Sequence, residues 1–486
     1  MKPVSTAEDV RVTTPVKAHL TDGFTIVYPD GITVSGGRIL GVGKQFDLTL
    51  TEVGTVAEIP LERVVALESF EATANREMTV LASGGATVAL LAGGALLAVA
   101  IFGSCPTVYA DADGEGKLEA ELFSYSIAPL FEMPDTDRLQ VRPGSDGAIR
   151  LEVRNEALET HYLNQLQVTE ARHAPGEIVV PDEKGEPLAL SELSTPAEVF
   201  DRGGRDLRAV VASRDDQASR THAETMAGLT SKDLRDSIEL RVPVDKQGQE
   251  VALLLRMRNS LLNTVLFYET MLKGSGARSL DWLGKDLGEP GPAIELATWY
   301  ASRMGMRVEV WQDGEYRSVA RLGDTGPIAW KDVAVILPAV PNDGTLRVRL
   351  SFPADNWRID HLQIAKGVRR PETRDLPIAE VVSSDGKSDP AAARSLASTD
   401  ERYLRTSPGQ SFSVRFNAGP DPAARTFLLE SRGYYTEWIR GSWVGSPTRS
   451  AAFTPSDDAL LEAMMKWRDV QSDFEARFDA TRIPVR

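Results

Sequence analysis

Few side chains in this sequence are arranged for chemistry. The histidines, His19, His161, His173, His222 and His361, form neither an HExxH helix nor a close pair. His161 and His173 could meet only across neighbouring strands, and two imidazoles do not complete a zinc site. Cys105 is the single cysteine, so one chain can form neither a disulfide nor a thiolate cluster. No GxSxG elbow is present. Carboxylates are plentiful, and Asp360 in Trp357-Arg358-Ile359-Asp360 and Glu437 in Tyr434-Tyr435-Thr436-Glu437-Trp438 are the most suggestive. A glycosidase needs two such acids about 5–9 Å apart across the scissile bond. Tyr434, Tyr435, Trp438 and Trp443 gather aromatic surface beside Glu437. That cluster fits a partner contact, a sugar-stacking platform, or packing beneath a terminal helix. Asp111-Ala112-Asp113-Gly114-Glu115 opens like a calcium loop but lacks the distal Glu, and a hairpin turn accounts for it better. No catalytic residue, cofactor or metal is assigned.

The balance of 54 Lys+Arg against 70 Asp+Glu, net −16, argues against a nucleic-acid binder, which needs a basic stripe to neutralise phosphates. At 42% apolar and 26% charged residues the chain has material for a core. Its 486 residues correspond to about three domains.

The strongest signal is the absence of charge over residues 78–105, MTVLASGGATVALLAGGALLAVAIFGSC. About 20 residues of helix cross a hydrocarbon layer of roughly 30 Å, so this run is long enough for one transmembrane helix. Gly85, Ala89 and Gly93 recur every four residues, a small-residue face on which a partner helix can pack. Arg63 and Arg76 before the run, against Lys117 alone after it, favour a cytoplasmic N-terminus and a periplasmic C-terminal region. Phe102-Gly103-Ser104-Cys105 resembles a bacterial lipobox, which makes a lipoprotein anchored at Cys105 the alternative.

The elements around this segment read as mainly β. Residues 1–77 carry short alternating strands between Gly turns and predict a small SH3- or Sm-like β-barrel. Residues 106–235 read as a β-rich membrane-proximal domain, and 236–370 as a jelly-roll-like β-sandwich with a helical insertion. Within the latter, helices are expected over 260–273 and 292–304. Asp313-Gly314 marks a hairpin, and Leu346, Val348, Leu350 and Phe352 alternate strictly. Residues 371–450 read as a linker with further strands. The last segment, 451–486, predicts an amphipathic helix with Leu460, Met464, Trp467, Phe474 and Phe478 as its apolar stripe.

Ser104-Cys105-Pro106-Thr107-Val108-Tyr109, followed by Asp113-Gly114, resembles the membrane-proximal SCPxVY motif of an uncharacterised family of bacterial envelope proteins. Asn155-Glu156 with Glu159-Thr160-His161-Tyr162, Gly326-Pro327-Ile328-Ala329-Trp330, Trp357-Arg358-Ile359-Asp360, and Gly433-Tyr434-Tyr435 with Glu437-Trp438 extend the resemblance over residues 104–445. The sequence departs from the family at Glu115-Gly116-Lys117-Leu118, where an aromatic strand is usual. The resemblance implies a bacterial envelope location and no activity. Together these features lead to an expected single-span inner-membrane protein that acts as a scaffold or accessory subunit through protein–protein contacts. A periplasmic carbohydrate-binding protein or glycoside hydrolase is the alternative.

Overall fold

The structure is a computed structural model and describes residues 9–47, 51–70, 105–110, 116–245, 250–340, 343–421, 423–445 and 456–480. It is mainly β, as expected, with its strands in five antiparallel sheets. Four of these form two sandwiches.

In the first sandwich one sheet runs Asp135–Leu139, Arg425–Glu437, Glu159–Arg172, Glu372–Leu376. The facing sheet runs Ile378–Ser383, Ser411–Asn417, Ala148–Arg154, Thr107–Ala110, Lys117–Glu121. Ile149, Leu151 and Val153 alternate inward against Val168, Phe412, Val414, Phe416 and Leu429, the period-two pattern of a sheet with one buried face. The second sandwich sets Ile178–Pro181, Pro187–Ser194, Trp357–Arg369, Val251–Asn259 and Lys331–Leu337 against Glu198–Asp201, Arg235–Pro243, Thr345–Pro353, Met306–Gln312 and Glu315–Leu322. The Asp313-Gly314 hairpin forms with φ of 51° and 86°, which suits a tight turn between twisted strands.

The chain divides differently from the serial order expected. The second sandwich is an insertion: the chain leaves the first at Arg172 and returns at Glu372, and these two residues pair directly. Strands between residues 372 and 437 therefore complete the first sandwich. Alternation marks a strand and its buried face but carries no label for a partner two hundred residues away. The strand Val251–Asn259 is buried on both faces, with Leu253 and Leu255 in the sandwich core and Ala252 and Leu254 in a second apolar layer with Leu188 and Leu190. That outer face meets the first sandwich through Arg138–Asp332 at 3.0 Å and Lys331–Asp135.

The N-terminal strands do not make an isolated barrel. Their sheet runs Val10–Val12, Ile32–Ser35, Arg38–Phe46, Thr25–Tyr28, Val16–Leu20, Val64–Ser69, and then takes Ile439–Arg440 as a further strand, pairing Ile439 with Leu67 and Arg440 with Ala66. Its apolar face shares one core with helical segments from the rest of the chain. Val16, Ala18, Leu20 and Leu67 belong to the same buried cluster as Leu262, Leu266, Leu280, Leu460, Met464 and Trp467. Helix Asp457–Ala480 buries the whole expected stripe, including Phe474 and Phe478. The helix expected over 260–273 is present but winds as a π-helix over Val265–Leu272, and the next runs Pro290–Arg303. Asp281 Oδ1 accepts from the backbone amides of Thr13 and Thr14, each at 2.8 Å. A barrel on one face of a membrane and the sandwich region on the other would require this sheet and core to separate.

Among the described residues no helix is long and apolar enough to cross a membrane. The charge-free residues 78–104, with Gly85, Ala89 and Gly93, lie outside the described residues, as do residues 111–115.

A buried ionic group links the N-terminal sheet to the first sandwich. Lys17 Nζ lies 3.2 Å from Glu68 Oε2, and the Thr160 hydroxyl donates to Glu68 Oε1 at 2.8 Å. His19 stacks on Trp438 at 4.1 Å. Burial opposes ionisation of Glu68, but Lys17, His19 and Thr160 outweigh it and hold its carboxyl down at about 2, against an ordinary 4.5. With the folded value below the unfolded one, this stabilisation is complete above about pH 4.5 and is lost as pH falls through about 2. Glu68→Gln leaves Lys17 buried without its countercharge and is expected to cost about 3–5 kcal/mol in denaturant unfolding at pH 7. Unchanged stability would show that the group contributes nothing.

Candidate functional site

A cavity of about 670 Å³ lies where the two sandwiches meet the helices. Its walls are largely apolar, with Ile127, Phe131, Leu266, Met271 and Leu296. Leu130 and Met133 are each 54% exposed and mark its open side. Polar groups converge on it: Cys105, Glu121, Glu159, Tyr268, Tyr300, Asp324 and Tyr435. An apolar cavity with a few placed polar groups is the usual form of a small-molecule site.

The strands position these groups. Glu159 and Glu437 begin and end two long antiparallel strands and stand directly opposite each other. The Tyr268 hydroxyl reaches both, 3.1 Å from Glu159 Oε1 and 2.8 Å from Glu437 Oε2. One phenol carries one proton, so it can donate to only one carboxylate at a time. Arg440 also bonds Glu437 Oε1, and His161 Nε2 lies 3.1 Å from Glu159 Oε2. Arg440 also lies 4.8 Å over the Tyr268 ring and 4.4 Å over that of Trp443. Burial, then the charge of Glu159, pushes the Tyr268 phenol well above its ordinary value. Burial pulls Arg440 down, while Tyr268 and Glu159 work against that.

Glu121 holds the opposite wall. Its Oε2 accepts from the amides of Ile328 at 2.7 Å and Ala329 at 3.2 Å. Gly326 makes this approach possible: at φ 84°, a Cβ there would stand 2.4 Å from Glu121 Cδ. Burial, then Glu159 and Glu121, raises the Cys105 thiol well above its ordinary value, so it is a neutral thiol at pH 7, not a thiolate nucleophile. Asp324 is raised by burial, against hydrogen bonds from Tyr300 and Asn259.

Of the aromatic residues expected to face a partner, Tyr435, Trp438 and Trp443 are 6%, 0% and 4% exposed. This corrects their assignment as a contact surface. Trp438 Nε1 donates to Thr160 Oγ1 at 2.9 Å, and Trp443 packs in the core that also holds the C-terminal helix. Tyr434 alone points outward, stacked at 4.5 Å on Tyr162, with Tyr403 edge-on to both. Tyr434 and Tyr435 take opposite faces of their strand. Gly433 sits in mid-strand opposite a bulge at Leu163/Gln165, where a Cβ would be 2.3 Å from Tyr162 O and 2.8 Å from the Phe123 ring.

Asp360 and Glu437 are not brought together. Asp360 lies in the second sandwich, bonded to Arg256, which also reaches Asp216 at 2.7 Å. The partner of Glu437 is Glu159, which no local motif singled out, because only register places them opposite. His161 and His173 lie on one strand and its end, with separate partners, Glu159 and Thr426. Among the described residues no group of three or more His, Cys, Asp or Glu could hold a metal ion.

No family model and no curated protein matches the sequence. Among solved structures, a GH31 alpha-xylosidase from Xanthomonas citri aligns at TM-score 0.15 and 10% identity, over 90% of this chain and 38% of that one. The chain thus spans about two fifths of that enzyme's length. Structures of infectious bursal disease virus align at TM-scores of 0.16 (Gt strain) and 0.15 (Gx strain), each at 10% identity. The Gt alignment covers 71% of this chain and 93% of that one; the Gx alignment covers 78% and 86%. Scores this low establish no shared fold.

At the cavity wall, one ammonium serves two acids. Lys331 bonds Asp135 and lies 3.3 Å from Asp137. Burial, against the pull of Lys331 and with the added charge of Asp135, pushes Asp137 up to about 7 from an ordinary 3.8. Between about pH 4 and 7 the folded chain therefore keeps a proton that the unfolded chain has released, and stability falls as pH rises across that window. Asp137→Asn should flatten the melting temperature between pH 5 and 8 and raise it by a few degrees at pH 8. An unchanged slope would contradict this assignment.

Proposed function

We propose that this protein is a membrane-anchored scaffold or accessory subunit of a bacterial inner-membrane complex, acting through protein–protein contacts. The observation that carries the reading is the junction of a charge-free 28-residue stretch, 78–105, with a body in which Asp360, Glu437 and Trp438, singled out in the sequence, make internal contacts. Asp360 is held by Arg256, Glu437 by Arg440 and Tyr268, and Trp438 by His19. The outward Tyr162–Tyr434–Tyr403 stack, with Arg405 over Tyr162 at 5.0 Å, has the composition of a contact surface. Lipid anchoring at Cys105 fits less well. The accompanying cleavage would remove residues 9–70, which share the core with the rest of the chain.

The cavity favours a second reading, ligand binding. Glu121, Glu159 and Asp324 near Tyr268, Tyr300 and Tyr435 supply the carboxylates and rings that a carbohydrate or other small ligand would use. The predominantly apolar walls suit a ligand with a substantial apolar body.

Extraction in mild detergent followed by native mass spectrometry separates the two. The scaffold reading expects stoichiometric membrane proteins to accompany the 52.9 kDa chain and to be lost in a Tyr162→Ala, Tyr434→Ala double variant. A chain that travels alone with a small-molecule adduct would overturn it in favour of ligand binding.

A further inference from the structure

We infer that residues 9–70 and 105–480 lie on the same side of the membrane, so that the protein meets the bilayer from one face. The inference rests on the proposed membrane anchoring, but its own support comes from described residues on both sides of the 71–104 stretch.

Contacts of several kinds join the two flanks. Strand Val64–Ser69 pairs with Ile439–Arg440. Asp281 accepts from Thr13 and Thr14. Glu68, charged and buried with Lys17, accepts from Thr160. His19 and Trp438 stack face to face, 2° from parallel. None of these can form across a hydrocarbon layer of roughly 30 Å.

Both ends of the stretch are held in the described body. Phe70 is pinned by its amide to Pro15 O at 3.1 Å, two residues beyond Glu68. Glu68 bonds Thr160, whose neighbour Glu159 lines the same cavity as Cys105. A single crossing would put Phe70 and Cys105 on opposite faces of the bilayer.

The test uses the full chain in sealed spheroplasts, with Val53→Cys and Ile294→Cys made singly. Val53 and Ile294 are 51% and 56% exposed, one on each flank, so these changes leave the fold intact. Wild type, with its Cys105 buried, is the control. An alkaline carbonate wash first reports anchoring: release into the supernatant would overturn the membrane reading, and this inference with it. If the protein is retained, a membrane-impermeant maleimide should label positions 53 and 294 alike, both in intact spheroplasts or both only after lysis. Labelling of 53 and 294 from opposite sides would overturn the inference while leaving the anchoring intact.

Discussion

The fold depends on a strand of two residues. Ile439–Arg440 adds to the edge of the N-terminal sheet at Val64–Ser69, next to the Glu68–Thr160 bond and the His19–Trp438 stack. Beside it, Lys17 and Glu68 are 2% and 1% exposed, a geometry that holds only if each buried charge keeps its partner. The carboxylate is completed by a hydroxyl from the first sandwich, so the sheet's electrostatics are not satisfied within its own segment. Such long-range closure delays the contacts that offset chain entropy and slows folding.

From this junction two strands form a spine. Glu159–Arg172 and Arg425–Glu437 pair along almost their whole length. At one end, Glu170 gathers Arg374 and Arg425 where the second sandwich is inserted. At the other, Glu159 and Glu437 share Tyr268 and meet Arg440, which belongs to the strand that closes the N-terminal sheet. The same pair of strands therefore holds the inserted sandwich, one wall of the cavity and the link to the N-terminus. A shift of register along them would disturb all three together.

Much of the local structure was legible in the sequence because it has local causes. The 3.6-residue spacing of Leu460, Met464 and Trp467 shows the buried face of the last helix, and Asp313-Gly314 has the left-handed backbone that its hairpin needs. The site was less legible. Glu437 was singled out by its aromatic neighbours, yet its true partners, Glu159, Tyr268 and Arg440, are set by strand register and by a helix from an intervening segment. Trp438 and Trp443 look the same in sequence whether they pack inward or face a partner. Only the closing strand decides that they pack inward. Tyr162 and Tyr403, which flank Tyr434 on the outside, come from separate stretches and share no motif with it.

The central claim is that residues 9–70 and 105–480 are one cooperatively packed body. The most direct measurement inserts a protease site within 71–104, cleaves the purified protein, and follows the fragments by size-exclusion chromatography with and without denaturant. The account predicts that the N-terminal fragment co-elutes with the remainder in native buffer and separates only when the fold is lost. A folded remainder that elutes without the N-terminal fragment in native buffer would contradict it.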